Sequence, residues 1–266
     1  MAEIIAVVNQ KGGVGKTTTA LSLGVSLAYL SQEVLVIDMD AQANLTSGIG
    51  FSSPAPYYDI SDTLLDPSLV FSSTVATKVE FLDLIPSSNN LIGIELLLKD
   101  LENREFRLKS ALLSLSAMYR YILIDCPPSL GLLTVNALCA ANHVLIPMLP
   151  EYYALEGLSM LAQTVKRVKE TQNPDLDLLG IVFTMFDPRL QLTQAVSKEV
   201  NVFFPGKVFD TVIPRSVRLA EAPSFSVPIH IYSPKSNGTQ AYMDLGKELL
   251  VRLEPKVDTM RRLNGN

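Results

Sequence analysis

The sequence predicts a three-layer α/β fold: a mostly parallel, twisted sheet with helices on both faces. Three observations lead there. Short apolar runs alternate with amphipathic stretches along the whole chain, the pattern of buried parallel strands joined by crossover helices. A glycine-rich turn separates the first apolar run from the first helix-like run. Two of the later runs end in aspartate, at the strand ends where ligands gather in such sheets.

In chain order, the first strand is expected over residues 4–8, Ile4-Ile5-Ala6-Val7-Val8, and a helix over 17–30. A second strand, 34–38, ends in Asp38. The Ser-Pro-Ala-Pro segment within 48–59 reads as a surface connection. A strand at 81–85 and helices at 92–101 and 104–118 follow. The strand at 121–125 runs Tyr-Ile-Leu-Ile-Asp, and Pro127-Pro128 stiffen its exit before a helix at 132–140. Strands at 143–147, 178–184 and 208–212 alternate with helices at 154–171, 193–202 and 242–253. One domain is expected over 1–254, with a polar tail at 255–266.

Composition narrows the classes. A 266-residue chain with 48 % hydrophobic and 18 % charged residues suits a filled core and not a disordered chain. No basic region precedes the first strand, so no secretory leader is expected. No apolar run reaches the ~20 residues of a membrane span. Two cysteines suggest no disulfide scaffold, which makes a reducing cytoplasm the default. The net charge of −5 argues against a general nucleic-acid binder. Its distribution is uneven: residues 1–133 hold 8 Lys and Arg against 14 Asp and Glu, residues 134–266 hold 14 against 13. A local positive face in the second half remains open.

The chemistry centres on Asn9-Gln10-Lys11-Gly12-Gly13-Val14-Gly15-Lys16-Thr17-Thr18-Thr19. Strand, glycine turn and helix make a phosphate site: backbone N–H groups turn inward, and the helix dipole points the same way. Lys16 is expected to reach the β- and γ-phosphates of ATP, and the Thr17 hydroxyl to bind Mg²⁺. Gln10 stands where the usual loop has glycine, and Lys11 is an extra lysine. Asp38 and Asp40, two apart, share a side if extended. One carboxylate can hold the metal's water shell and the other orient the attacking water. Asp125 ends a buried strand in the manner of a Walker-B carboxylate.

Cys126 and Cys139 read as buried thiols and not as cluster ligands; His143 and His230 lack ligand-spaced partners and read as non-catalytic. After the later strands, Met185 and Pro214 could pack on adenine. Arg189, Arg215 and Arg218 are concentrated for so acidic a chain, either as ordinary surface charge or as a binding face.

These motifs together resemble the ParA/Soj family of chromosome and plasmid partition ATPases, the deviant Walker A branch of the P-loop proteins. Besides the glycine loop, the resemblance rests on Val-Ile-Asp-Met-Asp-Ala-Gln-Ala-Asn (36–44), the run from Tyr121 to Thr134, Glu-Tyr-Tyr-Ala-Leu-Glu-Gly-Leu (151–158) and Thr-Val-Ile-Pro-Arg-Ser-Val-Arg-Leu-Ala-Glu-Ala-Pro-Ser (211–224). It spans residues 2 to about 254 and looks like the short, chromosomal type. The resemblance implies an ATP-dependent homodimer with two nucleotides sandwiched face to face. In it Lys11 is similar to the signature lysine that crosses to the partner's phosphates, and Gly12 matches the point of closest approach. Gly13, Val14, Gly15, Lys16, Thr17 and Thr18 match the phosphate-binding residues. Asp40 matches the residue that activates water and Asp125 the Walker-B carboxylate; Asp38 is read beside them as a carboxylate of the Mg²⁺ water shell. Pro214 and Ser216 match positions that lie by the adenine.

Arg189 and Arg218 match arginines linked to non-specific binding of double-stranded DNA. A ParB/Spo0J-type centromere-binding protein is the implied partner, and a cytoplasmic, nucleoid-associated location is the implied setting. Ser216 replaces the family's usual Asn, and Ala41 and Ala43 replace its Pro and Gly, which is expected to leave this loop less kinked. A membrane-cycling division regulator of the MinD type shares the glycine loop but needs a C-terminal amphipathic helix, which Pro255 interrupts. A non-catalytic nucleotide switch is the other alternative; Lys16, Asp40 and Asp125 argue against it.

Overall fold

A computed structural model of the chain describes residues 2–52, 57–152 and 154–254. The expected tail at 255–266 and the centre of the 48–59 connection lie outside the described residues. Seven strands form one sheet: β1 (Glu3–Val7), β2 (Val34–Asp38), β3 (Val75–Ala76), β4 (Leu82–Ile85), β5 (Tyr121–Asp125), β6 (His143–Met148) and β7 (Asp177–Phe183). Their order is β3-β4-β2-β5-β1-β6-β7, parallel throughout except for the two-residue edge strand β3.

Twelve α-helices flank the sheet in the described residues: α1 (Lys16–Tyr29), α2 (Asn44–Gly48), α3 (Ile60–Leu65), α4 (Val70–Ser73), α5 (Ile94–Leu98), α6 (Arg107–Leu113), α7 (Leu132–Ala140), α8 (Ala154–Thr171), α9 (Gln191–Phe203), α10 (Val217–Glu221), α11 (Ile229–Tyr232) and α12 (Asn237–Leu253). Alternation within the strands divides the core in two. Ile5, Val7, Val34, Val36 and Leu123 face α1 and α12, whereas Ala6, Leu35, Ile37, Ile122 and Ile124 face α3, α6, α7 and α8. Gly24 lets α1 lie close on the sheet, since a Cβ there would come within 2.6 Å of Val36.

This topology positions the site. β1 and β5 are neighbours, with Val7 beside Asp125. The chain leaves β1 through α1 on one face and leaves β5 through α7 on the other. The crevice at their carboxyl ends is a topological switch point, where parallel α/β sheets bind ligands.

One expected strand is absent. Residues 208–212 run beside β7 but form one isolated bridge with it, Val208 to Ile181, where the Phe209 amide donates to the Ile181 carbonyl at 2.9 Å. The amides of Asp210 and Thr211 donate instead to the Glu248 carboxylate of α12, at 2.9 and 2.8 Å, so the strand ladder cannot form there. The expected helix at 92–101 shortens to α5, and that at 104–118 becomes a 3₁₀ turn followed by α6. Helix α12 begins five residues earlier than its apolar pattern suggests, because the Ser236 hydroxyl caps it by accepting from the Thr239 amide.

Candidate active site

The glycine loop closes between β1 and α1 because two residues take left-handed backbone angles, Gly13 at φ +74° and Gly15 at φ +84°; glycine adopts these without strain. Helix α1 starts directly after Gly15, aiming its positive end at the loop. Two neighbours brace it. The Thr184 hydroxyl donates to the Val14 carbonyl at 2.8 Å. Asn9 donates to the Pro147 carbonyl at 2.7 Å and accepts from the Lys11 amide at 3.0 Å. Lys16 is buried, and its ammonium donates to the Lys11 carbonyl at 3.1 Å. Burial pulls its pKa down, opposed by the charges of Asp125, Cys126 and Asp40.

Asp38 and Asp125 are register partners on adjacent strands, and both are fully buried. Their environments differ. Asp38 accepts three hydrogen bonds, from the Asp40 amide at 3.1 Å, the Thr46 amide at 2.9 Å and the Thr46 hydroxyl at 2.8 Å. It thereby pins the 39–46 loop and the start of α2. Neither oxygen of Asp125 has a hydrogen-bond partner among the described residues. Thr17 faces Asp125 without a hydrogen bond of good geometry, and its hydroxyl favours the charged carboxylate. Both pKa values are pushed up, chiefly by burial and for Asp125 also by Asp38. An orphaned buried carboxylate beside an ammonium and a threonine hydroxyl suits a hydrated divalent cation, so the residues present fit Mg²⁺. No cluster of three or more His, Cys, Asp or Glu that could by itself hold a metal ion occurs among the described residues.

Asp40 lies half-buried at the rim, its Oδ1 accepting from the Gln42 amide at 3.0 Å. The loop after it is sharply kinked. Ala43 takes φ +50° and ψ +35° and caps α2, so the relaxation expected from Ala41 and Ala43 does not occur at Ala43. The Ala43 amide donates to the Asp40 carbonyl, and its own carbonyl accepts from Ser47, which holds the kink without a glycine.

A cleft of about 400 Å³ is lined by Gly12, Gly13, Gly15, Lys16, Thr17, Thr18, Asp40 and Met185, among others. A second cavity of about 230 Å³ adjoins it through Gly15, Thr18 and Met185 and is lined by Pro214, Ser216 and Tyr242. The expected phosphate and base residues thus line two adjoining cavities, with Thr17 in the first, while Asp38, Asp125 and Val14 line neither and are buried. The cavity sizes suit a triphosphate and a base.

Lys11 and Gly12 lie at the open side. The Lys11 ammonium pairs with Glu151 of the same chain. A Cβ on Gly12 would meet nothing within 4 Å, so this chain itself places no obstruction there. Arg189 and Arg218 line neither cavity; each is exposed and ion-paired, Arg189 with Asp187 and Arg218 with Glu221. His143 pairs with Glu3, His230 is buried against Ser26, and both cysteines are buried thiols, as expected. The bracing roles of Asn9, Thr184 and Glu151 were not evident from sequence. Asn9 and Glu151 lay in quoted motifs, but Thr184 carried no signal beyond ending a strand.

Comparison with known proteins agrees with this geometry. An AAA domain family model matches residues 2–178. Sporulation initiation inhibitor protein Soj of Bacillus subtilis is 50 % identical over 249 residues, covering 94 % of this chain and 98 % of that one. Chromosome partitioning protein ParA of Myxococcus xanthus is 48 % identical over 256 residues, covering 96 % and 90 %. Among solved structures, cobyrinic acid a,c-diamide synthase from Mycobacterium smegmatis, with bound ATP analogue and magnesium, superposes with a TM-score of 0.82 at 34 % identity, covering 94 % of this chain and 95 % of that one. The chain belongs to the ParA/Soj family of chromosome-partitioning ATPases.

Proposed function

We propose that this ATPase couples Mg·ATP binding to assembly on DNA, and that hydrolysis resets it. The observation that carries the reading is Asp125: a fully buried carboxylate without a hydrogen-bond partner among the described residues, beside Thr17 and Lys16 at the glycine loop. Residues 1–254 act as one ATPase unit. The glycine-loop amides and Lys16 hold the β- and γ-phosphates, and Met185, Pro214 and Ser216 receive the adenine. Thr17, and Asp125 through water, would hold Mg²⁺, which would supply neutralising charge to the phosphate oxygens. Asp38 already accepts three hydrogen bonds, so it serves that shell mainly by fixing the 39–46 loop. Asp40 orients the attacking water and accepts its proton.

Lys11 leaves Glu151 to reach the phosphates of a second copy, and Gly12 lets the two loops approach. This ATP dimer binds double-stranded DNA without sequence preference through Arg189 and Arg218, two of each per dimer. A ParB/Spo0J-type protein stimulates hydrolysis, which is slow alone, and releases monomers from the nucleoid into the cytoplasm. The cycle serves segregation of a chromosome or plasmid, and no membrane takes part. No helix among the described residues is long and apolar enough to cross one.

The test is steady-state ATPase turnover with DNA and a ParB-type partner. Turnover should rise with both present and vanish in Asp40→Ala. Wild-type turnover in Asp40→Ala places water activation elsewhere.

A further inference from the structure

Both arginines expected to meet DNA are already engaged by carboxylates of their own segments. The Arg189 guanidinium makes a two-pronged pair with Asp187, Nε to Oδ1 at 2.9 Å and Nη2 to Oδ2 at 2.7 Å. The Arg189 amide also donates to Asp187 Oδ1 at 3.1 Å, which sets the turn that brings the two side chains together. Arg218 donates from Nη1 to Glu221 Oε2 at 3.0 Å, one helical turn away on α10. Glu221 is itself held, because the same oxygen accepts from the Tyr232 hydroxyl of α11 at 3.0 Å, and Tyr232 stacks on Phe225 with ring centroids 4.9 Å apart.

These contacts occupy the Nε–Nη2 edge of Arg189 and one donor of Arg218, groups a phosphate would otherwise use. A two-pronged guanidinium–carboxylate pair has the same donor geometry as a guanidinium–phosphate pair. Arg215, exposed and in no ion pair among the described residues, adds positive charge beside Asp187, so Asp187 keeps a neutralising neighbour if Arg189 turns away. We propose that Asp187 and Glu221 are positioning residues that compete with DNA phosphate for Arg189 and Arg218, so that neither arginine is freely available in a single chain and DNA binding waits for the doubled contacts of the dimer. The proposal rests on the reading of Arg189 and Arg218 as the DNA face. Exposed ion pairs of this kind are weak, so each weakens a lone phosphate contact and yields to several phosphates together.

The test is a double-mutant cycle on DNA affinity. The full chain, bound to Mg²⁺ and a non-hydrolysable ATP analogue, is titrated with a random-sequence duplex at fixed salt. Asp187→Asn and Glu221→Gln keep the side-chain shapes and one acceptor oxygen each while removing the charges. Each should tighten binding by about two- to fivefold for each arginine released, and each gain should vanish when combined with Arg189→Ala or Arg218→Ala respectively. A gain that persists without the arginine is a general field effect and overturns the proposal, as does no gain at all. Arg218→Glu and Arg189→Glu separate the two levels. If they abolish binding while the carboxylate variants change nothing, the competition is wrong and the DNA face stands. If they leave binding intact, the DNA face and the competition fall together.

Discussion

Replacing Ala43 with glycine should stabilise the protein, although glycine substitutions inside packed loops usually do the reverse. Ala43 holds φ +50° and ψ +35°, a left-handed conformation that costs an L-residue with a Cβ about 1–2 kcal/mol. Glycine removes that cost but loosens the unfolded chain, which takes back about 0.5–1 kcal/mol. The net expectation is a gain of about 0.5–1 kcal/mol, or a rise in Tm of roughly 1–4 °C for a chain of this size. The hydrogen bonds around the kink run through the Ala43 amide and carbonyl, so glycine keeps them. Ala41, two residues earlier, is the control: it has no positive φ and packs on the core, so Ala41→Gly should lower stability by about 1 kcal/mol. Urea unfolding without nucleotide, with unchanged m-values, reads both. If Ala43→Gly loses stability as Ala41→Gly does, the strain assigned to this loop is absent.

Other expectations follow from buried groups. Burial of His230 depresses its pKa from 6.5 to about 4. The unfolded chain therefore binds the extra proton between those values. The His230 contribution to stability should be flat above pH 6.5 and fall by up to about 3 kcal/mol as the pH drops toward 4, a slope that the raised carboxyls of Asp38 and Asp125 oppose. His230→Leu should flatten that limb in urea midpoints measured against pH, because Ser26 keeps its bond to the Ser22 carbonyl. Asp125→Asn removes a carboxyl that burial makes costly to ionise and should raise the stability of the nucleotide-free protein, while thermal melts lose the upward shift with Mg·ATP. Arg252 lies over the Phe209 ring at 4.0 Å and donates to Glu248 and the Val208 carbonyl. Arg252→Ala should cost about 1–3 kcal/mol in denaturant unfolding.

Much of the sheet could be read from sequence because parallel strands buried on both faces are continuous apolar runs, as in Ile4 to Val8 and Tyr121 to Asp125. The site was legible for a related reason: strand order collects the residues after β1, β2 and β5 at one edge, so Lys16, Asp40 and Asp125 had to meet. Tertiary competition hid the rest. Residues 208–212 have a strand's composition, but Glu248 takes the amides that a ladder would use. The short helices α2, α3, α10 and α11 are too brief for a 3.6-residue period to show. Ala43 misled because local propensity favours a relaxed alanine loop, whereas Asp38 holding Thr46 at the far end forces the turn. The internal pairs on Lys11, Arg189 and Arg218 depend on side-chain reach, which residue spacing alone does not specify.

The central claim is that nucleotide state controls assembly on DNA. The most direct measurement is co-sedimentation of the full chain with random-sequence duplex DNA at low salt, alone, with Mg·ADP, and with Mg·ATP, for wild type and for Asp40→Ala. Binding should require Mg·ATP, be absent with Mg·ADP or no nucleotide, and persist longest in Asp40→Ala, where hydrolysis cannot reset the dimer. Equal DNA binding in all three nucleotide conditions would contradict the account.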